Sequence, residues 1–133
     1  MEQVRLVYTS LVQGALPSYN DLAELLRVSR AGNEKLGVTG VLCYAKGVYL
    51  QALEGDRDVV SRLYGKICHD RRHKNCQIVV CQSIDRRRFG DWSMKLVAVD
   101  NALLEGIELQ AMDATQAEAF LGMRADAERR RVP

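Results

Sequence analysis

The chain has 133 residues, 47% apolar and 27% charged, with 19 basic against 17 acidic side chains and a formal net charge of +2. That composition suits one folded domain with a proper core and excludes a disordered chain. The charge balance points away from nucleic acid or an anionic membrane as main partner, and no apolar run approaches the ~18 residues of a membrane span.

Val4 to Ser10 predicts a first strand. The opening "MEQVRLVYTS" has neither the basic n-region nor the apolar h-region of an export signal. The expectation is a cytoplasmic protein whose Cys43, Cys68, Cys76 and Cys81 are reduced thiols. Ser18 with Asp21 three residues on is a variant of the capping box. It opens a helix carrying Leu22, Leu25, Leu26, Ser29, Gly32 or Asn33, and Leu36 at helical spacing, which Gly37 ends. Strands over Val38 to Ala45 and Val48 to Glu54 are joined by Lys46-Gly47, a short hairpin signal. Asp56 caps a second helix with Val59, Val60, Leu63, Tyr64, Ile67 and Cys68 on one face.

"HDRRHKN" reads as a polar connection. Cys68, His69, His73 and Cys76 within it and beside it lack the C-x-x-C knuckle of structural zinc sites. Adjacent Cys68 and His69 would also diverge by about 100° on a helix, so no metal site is expected. Gln77 to Ile84 and Ser93 to Val99 predict two more strands. Asn101 to Pro133 predicts one or two short helices with a weak apolar side of Ala117, Phe120, Leu121 and Met123.

The order β-α-β-β-α-β-β predicts an α+β, ferredoxin-like sandwich: two helices on one face of a five-stranded mixed sheet, with the helical tail on the other. Right-handed crossovers place the first and third strands side by side in the centre. The division expected is 1–100 for the sandwich and 101–133 for the extension.

Within "GVYLQALEG" a glutamine, Gln51, interrupts an apolar strand. A buried carboxamide without partners costs roughly 1–3 kcal/mol, so something inside must meet it. Strand alternation puts Tyr8 on the face of Leu6, and Gln51 on that of Tyr49 and Leu53. Asn33 returns close to the apolar stripe of the first helix. Two readings of this trio stay open: Tyr8 and Gln51 satisfy each other while Asn33 frays into solvent, or the three edge a planar heterocyclic ligand between sheet and helices.

Five blocks, "LVYTS", "SRAGNEKLGVTGVLCY", "GVYLQALEG", "DRRHKN" and "RRFGDWSMKL", stand in that order between Val4 and about Asp100. Together they resemble the BLUF domains, blue-light sensors using flavin. The resemblance implies a non-covalent FAD with its ring between the two helices. It further implies that Tyr8 is the photoactive tyrosine, Gln51 the glutamine between it and the flavin, and Asn33 the partner of the pyrimidine edge. By the same resemblance Ser29 and Tyr49 also contact the cofactor. Arg72 and His73 match a basic pair near the ring's polar edge and the ribityl-phosphate chain. Trp92 and Met94 match a last-strand pair near the glutamine that exchanges positions to carry the signal. Which of them lies nearer the ring is open, as is whether Gln51 rotates or tautomerises.

The resemblance makes the chain a photoreceptor and no enzyme, signalling through its last strand and tail to an oligomer interface or a separate protein. The chain ends at Pro133 without room for a cyclase or phosphodiesterase module. Two rivals share the topology. An RNA-binding module would stack bases on strand aromatics such as Tyr8 and Tyr49. A small acylphosphatase-like hydrolase would use Arg72, Arg86, Arg87 and Arg88 around an anion, but a basic run of this kind is usually a solvated turn.

Overall fold

A computed structural model describes residues 2–98 and 108–131. Val99, the connection into the tail and the last two residues lie outside them.

Five strands, β1 (Gln3–Val12), β2 (Thr39–Ala45), β3 (Val48–Asp56), β4 (His73–Ser83) and β5 (Lys95–Ala98), form one sheet in the order β4-β1-β3-β2-β5. Neighbours are antiparallel except β2 and β5, which run parallel. The first and third strands are central, as the crossovers require. Helices α1 (Tyr19–Leu36) and α2 (Arg57–His69) lie on one face, and α3 (Ala114–Arg131) lies on the other.

Local chemistry fixes the helix ends. The Ser18 hydroxyl accepts from the Asp21 N–H while the Asp21 carboxylate accepts from the Ser18 N–H, closing the capping box. At the far end Gly37 turns left-handed (φ 68°), and its N–H closes back on the carbonyls of Asn33 and Glu34. Asp56 caps α2 through the Asp58 N–H.

Three expectations need correction. β4 begins at His73, so part of the "polar connection" is strand; pairing with β1 recruits it, at the cost of irregular register between Val7 and Tyr8 and between Thr9 and Leu11. Asn75 takes a positive φ of 52° within this irregular stretch. Among the described residues, the tail forms an 18-residue helix rather than short ones, preceded by the 3-10 turn Leu109–Ala111. Met123 is 66% exposed and takes no part in that helix's buried side.

Alternation along the strands divides the core into two layers. Val4, Leu6, Tyr8, Leu42, Tyr44, Tyr49 and Leu53 face α1 and α2. Val7, Val41, Cys43, Leu50 and Ala52 face α3, whose Ala117, Leu121 and Ala125 cover them. The sheet face that an RNA-binding module would present to bases is therefore buried.

Candidate functional site

Register alone brings the central pair together: Tyr8 on β1 stands directly opposite Gln51 on β3. Both point into the layer under α1 and α2, and both are buried. The Tyr8 hydroxyl donates to Gln51 Oε1. On its other side the carboxamide Nε2 donates to Met94 Sδ at 3.3 Å. Phenol, amide and thioether thus form a chain across the middle of the sheet.

Burial is the largest cause that lifts the Tyr8 pKa well above its ordinary value, and nearby Cys76, Cys68 and Tyr64 add to it. The phenol is therefore held neutral and protonated. The Tyr64 ring meets Tyr8 edge-on, with centroids 5.1 Å apart.

Asn33 does not fray. It is buried, and its Nδ2 donates to the Ser93 carbonyl at 2.7 Å. One turn earlier on α1, Arg30 Nε donates to the Met94 carbonyl at 2.8 Å. Two side chains of α1 thus hold the backbone that carries Met94. Ser29, half-buried, shares the helix face of Asn33 four residues on.

At the other end of β3, the Tyr49 ring lies 5.0 Å from that of His73, and His73 Nδ1 is 2.9 Å from Ser10 Oγ. Burial lowers the His73 pKa, while burial pushes that of Tyr49 up to about 12. The Arg72 guanidinium turns onto Asp70 (3.0 and 2.7 Å) and, mainly through those hydrogen bonds, holds that carboxyl down at about 2. Tyr49 and Arg72 also line a cleft of about 260 Å³ beside Val12, Gln13, Asp21 and Leu25.

Trp92 is not brought to this cluster. It belongs to the opposite layer, with Phe89 and α3, so Met94 is the one beside Gln51. The histidines near the cysteines are committed separately: His69 Nδ1 lies 2.8 Å from its own helix's Gly65 carbonyl, and His73 pairs with Ser10. Among the described residues, no group of three or more possible metal ligands comes together. Arg87 binds Gln3 Oε1 and the Gly37 carbonyl, and Arg88 binds Asp126 and lines a small cleft that it shares with Arg5 and the carboxylate of Glu118.

Sequence reasoning missed Arg30, Ser93, Ser10 and Tyr64. Arg30 had a weak signal, one helical turn before Asn33; the others depend on contacts across elements.

The family model described as sensors of blue-light using FAD, BLUF, matches residues 3–95. The chain belongs to the BLUF family. Among curated BLUF-containing relatives, it is 35% identical over 116 residues to photoactivated adenylate cyclase subunit alpha of Euglena gracilis. That match takes in 86% of this chain but 11% of the relative, so the chain spans about a tenth of that protein's length. Among solved BLUF proteins, the dark-state structure of BlrB superposes with a TM-score of 0.82 at 32% identity, covering 96% of this chain and 97% of that one. The photo-activated state of BlsA gives 0.80 at 32% identity, covering 91% and 93%.

Proposed function

We propose that the domain senses blue light through a non-covalently bound FAD placed against Gln51 and Tyr8, and that the Gln51 amide is the part light rearranges. The supporting observation is the buried chain from Tyr8 through Gln51 to Met94, in a member of a family of flavin-using sensors. The residues fit such a group. A carboxamide has two strong N–H donors, yet the partner of Nε2 is a thioether, a weak acceptor. A flavin edge, with carbonyl and ring-nitrogen acceptors, answers that shortfall. Ser29 and Asn33 would hold the α1 side, and Tyr49, Arg72 and His73 the opposite end.

When bound, the flavin supplies a blue-light-excited oxidant able to take an electron from a phenol. Everything else is work for the chain. Tyr8 is protonated at rest, and losing an electron makes it a strong acid. Its bonded base is Gln51 Oε1, so the proton moves along that bond and returns when the electron does. The amide need not return with it. A tyrosine hydroxyl both donates and accepts, so Gln51 can face Tyr8 with either Oε1 or Nε2 and stay hydrogen-bonded. At the Tyr8 end both orientations are hydrogen-bonded, and two such states are what a switch requires.

Residues 1–100 would form the light-sensing unit and 101–133 its output, toward a second copy or a separate protein. The test is an absorption spectrum before and after blue light, with the released flavin identified by mass. A reversible red shift is expected. Tyr8→Phe and Gln51→Leu should keep the yellow colour and lose the shift; a normal photocycle in either removes that residue from the mechanism.

A further inference from the structure

Trp92 is the chain's single tryptophan, and the Arg129 side chain of α3 reaches it. The Arg129 guanidinium lies 4.6 Å from the indole centroid. It binds both carboxylate oxygens of Asp91 at 3.0 and 2.9 Å and donates to the Arg88 carbonyl at 2.8 Å. Asp126, on its own helix, steadies it at 2.9 Å. Apart from Asp126, every one of these partners belongs to the stretch from Arg88 to Trp92. Glu54 pins the same stretch from β3, accepting the backbone N–H groups of Arg88 and Phe89 at 2.8 Å each.

Side chains two apart on a strand share a face. Trp92 and Met94 do not: the one packs under α3 and the other beside Gln51. The chain between them is irregular, and strand begins only at Lys95. Strand pairing does not fix which way such a segment faces, so which of the two side chains meets Gln51 is left to tertiary contacts.

We propose that Arg129 is a positioning residue that keeps Trp92 against α3 and so keeps Met94, rather than Trp92, beside Gln51. A planar guanidinium can chelate a carboxylate and lie over an indole at once; a lysine ammonium cannot do both. On the blue-light reading, the coupling is reciprocal: displacing Met94 weakens the seat of Arg129, and releasing Arg129 biases the surroundings of Gln51. The C-terminal helix then receives the signal at its last turns.

The readout is the methyl carbon resonance of Met94, assigned with Met94→Leu, in the full chain and its Arg129→Met, Arg129→Lys and Asp91→Asn variants. Met94 lies across the sheet from Arg129, so its signal moves only if residues 92–94 rearrange. A shifted or doubled Met94 signal is expected in Arg129→Met, a smaller change in Arg129→Lys, and the same direction in Asp91→Asn. Dark recovery should change by roughly threefold or more in Arg129→Met, the scale of losing a part-exposed stack and its ion pairs. An unmoved Met94 signal in both Arg129→Met and Asp91→Asn overturns the proposal, even with a normal photocycle. A moved signal in a chain with no photocycle sinks the sensor reading and leaves this one standing. Should Arg129→Met not fold, the milder pair decides.

Discussion

Two polar residues on β3 show how one side chain can organise a region. Gln51 serves the layer under α1 and α2, while Glu54 serves the layer under α3. The Glu54 carboxylate is fully buried and accepts from Arg5 Nε at 2.9 Å and from the Arg88 and Phe89 N–H groups. Arg5 continues to Glu118 of α3 at 3.0 Å. Breaking a buried pair by removing one partner leaves the other charge uncompensated, at a cost of roughly 3–5 kcal/mol. Glu54→Ala should therefore lower stability by about that amount in urea unfolding. A loss below about 1 kcal/mol would mean that water replaces the carboxylate's work at this site. In the sequence Glu54 looked like a strand end before Gly55-Asp56; its three strong partners come from distant positions.

Among the elements, β2 has the tightest constraint. A Cβ on Gly40 would drive into the Ala52 carbonyl oxygen of the neighbouring strand and stand 3.2 Å from Met94 Cε. Gly40 also donates its N–H to the Trp92 carbonyl at 3.0 Å, tying β2 to the segment that carries the Trp92–Met94 pair. Gly40→Ala should cost at least about 1–3 kcal/mol, as overpacking does. It should also disturb the Met94 contact with Gln51, seen as an altered flavin absorption edge. An unchanged melting temperature in that variant would show that the strands can part without penalty. The helices were more legible than β4, because caps are local chemistry, whereas the start of β4 at His73 is decided by its partner strand.

Over the molecule as described, the central strands are covered on both faces: one layer serves the site and α3 covers the other, while the edge strand β4 stays largely exposed. At the edge of the site, the His73 ring packs on Tyr49 and bonds Ser10, with Asp70 and Arg72 facing it. Burial, then Arg72, lower its pKa below the ordinary 6.5, while Asp70 opposes them. The folded chain therefore binds that proton less readily than the unfolded chain does. Its stabilising contribution is whole above about pH 6.5 and declines as pH falls through that value toward the lowered one. The Asp70 carboxyl, held at about 2, responds only in far stronger acid. Melting temperatures taken from neutral to mildly acidic pH should fall below that point, and His73→Gln should flatten the fall. A parallel decline in the variant would assign the effect to other groups.

The sequence alone determined what depends on neighbours along the chain and on strand parity: the caps at Ser18, Gly37 and Asp56, the order of elements, and Tyr8 and Gln51 on one face. Parity with a central pairing even makes their hydrogen bond legible in the sequence. Tertiary structure decided the rest. Asn33 is buried because the backbone at Ser93 comes to meet it, and Met94 rather than Trp92 reaches Gln51 because the chain breaks strand geometry between them. Arg129 and Glu54 acquire their importance from partners tens of positions away, and periodicity carries no information about contacts at that separation.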